Sequence, residues 1–493
     1  MYKKIELLEI PKNVLAILET LHSAGYEAYL VGGCVRNLLM DKKPKDWDIT
    51  TNAKPDQIAG LFAHTFNEND FGTVTVVNDD ATDESVKKVE ITPYRLEANY
   101  SNLRHPDAVT FSDSLEEDLK RRDFTINAIA FDPLKGQIID LYKGQEDIKD
   151  KVVRAVGNPM ERLTEDALRI MRGIRLAVEL DFEISRETAD ALQKVAQNIE
   201  KIATERIQTE FTRILMSHAP KRGIELLHEV GVLKYIVPEL EQGIGCEQNG
   251  DHIYHVWEHN LRAVQHSADN EWPFHVRLGA LMHDIGKPAT RRWDEAKKDY
   301  TFYGHDVVGA RITKEVCKRL KFSRETSDVV EKLVRHHLFF SDIDKITLSA
   351  VRRIVSHMGP ENVWDLMKVR ACDRIGMGRP KEKPYRLRKY EAMIEEAMRA
   401  PVSVAMLKIN GQILMDTVHV KPGPAMGWIL HALLEEVLDD PSRNTGEYLV
   451  SCATALKDLP EAELKTLGEA GKEKKADVEE AEIAEIRKKH WVK

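Results

Sequence analysis

The feature that most constrains this chain is a change of hydrophobic period near Asp147. Before it, short segments alternate: strand-like EAYLVGG runs into CVRNLLMDKK, then come strand-like DWDITTN, helical PDQIAGLFAH, and the strands GTVTVVND and KVEITPYR. After it the strand signals fade, and ERLTEDALRIMRGIRLAVEL opens a series of amphipathic helices. The chain therefore reads as α+β and multidomain, a head with a mixed β-sheet followed by all-helical regions. Its 493 residues exceed what one hydrophobic core organises, so more than one domain is expected.

Composition excludes several classes. No apolar run is long enough to cross a bilayer, and the start MYKKIELLEIPKN lacks the apolar stretch of a signal peptide, so a cytoplasmic protein with no membrane contact is expected. The five cysteines are scattered without a C-x-x-C pair, which reads as reduced thiols. A net charge of −9 argues against indiscriminate coating of nucleic acid, while leaving room for a local basic surface. The last stretch, GEAGKEKKADVEEAEIAEIRKKHWVK, mixes both signs of charge and reads as an exposed helix or a disordered tail.

In KPKDWDITTN, Asp46 and Asp48 flank Trp47, and residues two apart in a strand share a face. Paired carboxylates repel, an arrangement that a hard divalent cation such as Mg²⁺ relieves; taken alone the pattern also describes a solvated turn. Upstream, Gly32 and Gly33 lie between a strand and a helix, where backbone N–H groups can approach a phosphate and Arg36 can add charge. Glu90, on the strand KKVEITPYR, is either a third carboxylate at the same ions or an ordinary edge-strand glutamate. A glycine turn, an arginine and clustered carboxylates together describe phosphoryl or nucleotidyl transfer.

LVGGCVRNLLMDKKPKDWDITTN, RRDFTINAIAFD and EDALRIMRGIRLA, in that order, resemble the motifs of bacterial tRNA nucleotidyltransferases, the CCA-adding enzymes of the poly(A) polymerase superfamily. The resemblance implies a catalytic head over 1–146, a helical neck and body over 147–245, a histidine-rich region over 246–380, a tRNA-binding tail over 381–466 and a charged end over 467–493. It implies Asp46, Asp48 and Glu90 as catalytic, template-independent addition of C, C and A to tRNA from CTP and ATP, and no obligate protein partner. Asn37 departs from the family's usual aspartate after the arginine, which bears on a local hydrogen bond. The segment EANYSNLRHPDAVTF resembles the flexible loop of enzymes that add the terminal adenosine. A- or CC-adding relatives, poly(A) polymerases and a non-catalytic tRNA-binding module share parts of this pattern.

Asp166 and Arg169 are three apart, hence on one face of a helix, either as an ordinary ion pair or as a unit that reads a base. Cytosine and adenine present an amino donor beside a ring-nitrogen acceptor, and uracil and guanine reverse the order. A carboxylate beside a guanidinium complements the first pair only, and the resemblance assigns that role to Asp166 and Arg169. Arg172 and Arg175 continue at three-residue steps, toward triphosphate or tRNA backbone or simply as surface arginines. Arg122 and Asp123 take their nucleotide and ribose contacts from the resemblance alone.

Half of the 18 histidines fall between His252 and His337. HVWEHN, LMHDIGKP, GHDVVGA, VRHHLFF and RACDRIGMG place His259, His283, Asp284, His305, His336, His337 and Asp373 in one segment, and LMHDIGK resembles the HD metal-dependent phosphohydrolases. His259, His283, Asp284 and Asp373 are the expected ligands of a divalent metal, with His305, His336 and His337 as candidate additions.

Overall fold

Alternation in the first part of the chain builds a seven-stranded mixed sheet. Its strands are β1 (Ala28–Val31), β2 (Trp47–Thr51), β3 (Thr65–Asn67), β4 (Val74–Val77) and β5 (Lys88–Pro93). A separate antiparallel ladder, β6 (Arg95–Ala98) with β7 (Ala108–Phe111), precedes β8 (Ala130–Asp132) and β9 (Gln137–Ile139), which return to the sheet. The order is β3-β4-β5-β2-β1-β8-β9. Within it β2 and β5 run parallel and the other pairs antiparallel. Trp47 and Ile49 of β2 bury into the apolar core behind the sheet with Leu30, Val89 and Ile91, which fixes the face on which Asp48 emerges.

The structure, a computed structural model, describes residues 5–6, 9–67, 72–98, 108–250, 252–338, 346–399 and 402–492. Most of the expected adenosine loop, 99–107, lies outside them.

From Gly144 onward helices dominate, though not exclusively as expected. β10 (Val152–Val153) pairs in parallel with β11 (Glu183–Ile184), and β12 (Arg292–Asp294) pairs antiparallel with β13 (Asp299–Thr301). A second core runs from Phe124 through the helices to Val334. Gly173 is needed there, because a side chain would press on the Phe124 ring.

ERLTEDALRIMRGIRLAVEL is two helices, Pro159–Glu165 and Leu168–Leu180. The break falls at Asp166, whose extended backbone lets its carboxylate accept the Leu168 N–H at 3.0 Å, the use of aspartate that favours a helix start over a helix interior. Asp166 and Arg169 are thus a capping residue and a first-turn residue.

The chain forms two compact units, one of residues 1–337 with 368–380, the other of 338–367 with 381–493. The helix Gly144–Asp150 spans the boundary expected at 146, and 338–367 groups with the C-terminal unit instead of the histidine-rich region. The second unit has its own core, including Leu414, Ile429, Leu433 and Leu449. The charged end is neither disordered nor separate. The helix Glu461–Lys489 runs through it and buries Leu464, Gly468 and Gly471; any side chain at Gly471 would collide with the His431 carbonyl of the helix Pro424–Asp439. The five cysteines are free thiols. No helix among the described residues is long and apolar enough to cross a membrane.

Candidate functional site

The parallel register of β2 and β5 sets Asp48 directly opposite Glu90, and like directions put both side chains on one face. Asp46 lies immediately before β2 and is exposed, as is Glu90, while Asp48 is half-buried. Gly32 closes the approach from the other side. Its φ of +80° is a conformation that side chains rarely adopt, and a Cβ there would sit 3.4 Å from Asp48 Oδ2 and 3.6 Å from Arg122 Nη1. A Cβ built on Gly33 lies 4.0 Å from Asp46 Oδ1, so both aspartates reach the same glycine turn. Burial, and then the charges of Glu90 and Asp46, push the Asp48 carboxyl up to about 7. The charges of Arg122 and Arg172 pull the other way without offsetting burial and the two carboxylates.

Arginines surround this cluster. Arg36 donates Nε and Nη2 to Asn37 Oδ1 at 3.2 and 2.9 Å and Nη1 to Asn127 Oδ1 at 2.6 Å. The amide oxygen of Asn37 thus accepts from Arg36 without adding a negative charge. Burial lowers the Arg36 guanidinium from its usual range.

Arg122 is held by a residue that sequence reading missed. Asp118, fully buried, accepts from Arg122 Nη2 at 2.9 Å, from Arg121 Nε and Nη2 at 3.0 and 2.6 Å, and from Thr50 Oγ1 of β2 at 3.1 Å. Only its place in the acidic first turn of the helix Leu115–Lys120 marks it in the sequence. Asp123 accepts the Phe124 N–H at 2.9 Å and pairs with Arg172 Nη2 at 2.8 Å. Burial opposes its ionisation, but the charges of Arg172 and Arg169 outweigh this and hold its carboxyl low.

The expected base readers do not pair with each other. Arg169, 7% exposed, donates Nη1 to the Arg162 carbonyl at 2.6 Å and to Glu165 Oε2 at 2.5 Å, and Nη2 to the Arg121 carbonyl at 3.1 Å. Asp166 Oδ2 instead takes Arg206 Nη2 at 3.3 Å. Arg175 departs from the surface reading: it is buried and neutralised by Glu210 at 2.6 Å and Glu179 at 2.9 Å.

The histidine-rich region forms a second, tighter cluster around Asp284, which is 1% exposed. Its Oδ2 lies 3.0 Å from His259 Nε2, 3.4 Å from His283 Nε2 and 2.6 Å from Lys287 Nζ; its Oδ1 lies 3.2 Å from His305 Nε2 and 3.5 Å from His337 Nε2. Asp373 Oδ1 stands 3.3 Å from His259 Nε2 and is steadied by Arg370. Backbone carbonyls fix the rings, those of Ala280, Phe302 and Val334 each meeting the Nδ1 of His283, His305 and His337. Each Nε2 is thereby left to face inward.

Two sets of potential ligand atoms converge to within 4.8 Å among the described residues: His259, His283, Asp284 and Asp373, and Asp284, His305 and His337. His336, expected beside His337, belongs to neither; it ends the helix Arg324–His336, and the neighbouring position turns to a different side. Nor do Asp46, Asp48 and Glu90 converge as closely.

The His259 and His283 Nε2 atoms approach to 2.8 Å, and the buried Nε2 atoms of His305 and His337 make no hydrogen bond. Unspent imidazole nitrogens around carboxylates are the donor set of a divalent metal. Burial works against charging His283, but the charge and hydrogen bonds of Asp284 and Asp373 outweigh it and raise it to about 10. Lys287, which also donates to Gln248 Oε1 at 2.6 Å, was legible only as part of LMHDIGKP.

Comparison with known proteins follows the same division. Residues 28–154 match the poly A polymerase head domain, 181–244 a probable RNA and SrmB-binding site of polymerase A, and 250–386 the HD domain. A CCA-adding enzyme of Enterococcus faecalis is 42% identical over 245 residues, 49% of this chain and 59% of that relative. The crystal structure of the Bacillus stearothermophilus CCA-adding enzyme in complex with CTP superposes with a TM-score of 0.58 at 25% identity, covering 90% of this chain and 98% of that one. The Thermotoga maritima CCA-adding enzyme complexed with tRNA shares the fold, with a TM-score of 0.51 at 19% identity over 92% and 99% of the two chains. With the CCA-adding enzyme of Ligilactobacillus salivarius 32% identical across 90% of this chain and 96% of its own length, the chain belongs to the family of CCA-adding enzymes.

Proposed function

We propose that this protein completes the 3′ end of tRNA, adding C, C and A from CTP and ATP without a nucleic-acid template. The observation that carries the reading is the Asp48–Glu90 register beside the Gly32 turn, with Asp46 at its mouth. Asp46, Asp48 and Glu90 would hold Mg²⁺, which supplies neutralising charge for the triphosphate and the attacking 3′ hydroxyl. The raised Asp48 carboxyl fits a site that expects such charge. Arg36 and Arg122 orient the triphosphate, and Asp118 keeps the Arg122 fork aimed. Asp166 accepts from the amino group of cytosine or adenine while Arg169 donates to the ring nitrogen. Arg175, closed by Glu179 and Glu210, ties neck helices together instead of meeting nucleotide.

The acceptor end of tRNA is the macromolecular partner, and the cytoplasm its place of action. Functionally the head (1–146), neck and body (147–245), histidine region (246–380), tail (381–466) and charged end (467–493) remain useful divisions, the last being an extension of the tail's own helical packing.

A second reading concerns the Asp284 cluster alone. Its imidazole-rich donor set favours one or more divalent transition metals and a phosphohydrolase activity separate from nucleotide addition. Incubating the purified protein with tRNA lacking CCA, ending in C and ending in CC, then sequencing the products, tests the main reading. Complete CCA on all three substrates is expected. Addition confined to C residues or to the last A identifies a partial enzyme, untemplated A runs a poly(A) polymerase, and no addition a tRNA-binding module.

A further inference from the structure

We propose that Arg206 is the positioning residue that keeps the base-reading pair open, so that it governs selection of cytosine and adenine over uracil and guanine. This rests on the reading of Asp166 and Arg169 as base readers and adds what holds them apart. Opposite charges three positions apart at the start of a helix attract each other. Closed on each other, they would turn toward one another instead of standing side by side for a base.

The structure gives each a different partner. Arg169 is drawn toward Glu165 and the carbonyls of Arg162 and Arg121. Asp166 has Oδ1 committed to the Leu168 N–H, and its Oδ2 finds one cation, Arg206, at 3.3 Å. Arg206 comes from a different helix, Thr204–Met216, anchored in the core by Ile207, Phe211 and Ile214. It is therefore placed by packing and does not follow Asp166 if that side chain swings. Its Nη1 is buried and makes no hydrogen bond, while the side chain as a whole is part-buried, with Asp166 as its carboxylate partner. Without Arg206, Asp166 Oδ2 loses that charge partner and Arg169 becomes the competing cation. The carboxylate would then collapse toward the donor it is meant to stand beside.

The test is single-nucleotide incorporation by the full-length protein on tRNA ending in C or CC, with each of the four nucleoside triphosphates. Arg206→Ala should lower the kcat/KM preference for CTP and ATP over UTP and GTP by about tenfold. The KM for the correct nucleotides should carry most of the change, and Arg206→Lys, which restores charge but not the planar fork, should recover part of the preference. A merely structural role would lower all four nucleotides in parallel; an unchanged ratio in Arg206→Ala overturns the proposal. Should the alanine variant fail to fold, the same ratio in Arg206→Gln and Arg206→Lys decides, with loss in Gln and recovery in Lys expected and an unchanged ratio in Gln overturning it. The double variant Asp166→Ala/Arg169→Ala is read alongside. If it keeps the preference, the base-reading assignment itself fails; if it loses the preference while the Arg206 variants do not, only the positioning role does.

Discussion

Asp48 sits half-buried between two other carboxylates, and Asp284 sits fully buried among four imidazoles and a lysine. The first is pushed up to about 7, and the second is held well below the usual carboxylate range because, against the cost of burial, Lys287 and His283 supply positive charge. In the first, burial and the neighbouring carboxylates outweigh the nearby Arg122 and Arg172, and it stays open at Asp46 and Glu90. The other carries its own positive charge and is closed over. On the proposed reading, the contrast is between a centre that a metal arriving with substrate would complete and a centre whose ligands are already gathered.

Cutting each centre separately gives the largest effect. Asp48→Ala should reduce nucleotide addition by at least about a hundredfold with tRNA affinity retained, since on the proposed reading it removes a metal ligand and no phosphate-binding cation. Asp284→Ala should leave addition intact while abolishing tight binding of transition metal, read by elemental analysis of the purified chain, and any phosphohydrolase activity with it. Loss of addition in Asp284→Ala, or its survival in Asp48→Ala, would show that the two centres do not divide the work in this way.

A stability effect comes next. Arg175→Met leaves the buried Glu210 carboxylate without its partner, expected to cost about 3–5 kcal/mol. Denaturant melts should register this loss while the nucleotide KM changes by less than about twofold; a large KM increase would return Arg175 to the nucleotide site.

The smallest effect is in pH. Without metal, the folded chain keeps a proton on Asp48 up to about 7, whereas the unfolded chain releases it near the ordinary 3.8. The folded state therefore binds more protons between those values, and this group's contribution to stability falls as pH rises through that window. Thermal melting in chelator between about pH 5 and about 7 should show the decline, and saturating Mg²⁺ should flatten or reverse it. Equal slopes with and without Mg²⁺ would detach Asp48 from metal binding.

Much of the head was legible because its signals are local. A glycine pair between strand and helix, an apolar Trp47 between two aspartates and alternation along β5 each depend on immediate neighbours. The break at Asp166 was a local signal too, but helical spacing on both sides masked the preference of aspartate for a cap. Asp118 and Arg206 were not legible, since nothing in their neighbourhoods marks the distant side chains they hold.

By itself, the sequence determined the two periods, the turn at Gly32, the chemistry available in the head and the concentration of histidines between His252 and His337. Tertiary structure decided who meets whom. Glu90 reaches Asp48 only through the parallel β2–β5 register, and Asp373 reaches His259 across more than a hundred residues. It also parted Asp166 from Arg169 by giving Arg206 to one and Glu165 to the other, and it buried Arg175. The reason is physical: backbone preference is set within a few residues, whereas the partner of a charge is set by which helices and strands bury their apolar faces together.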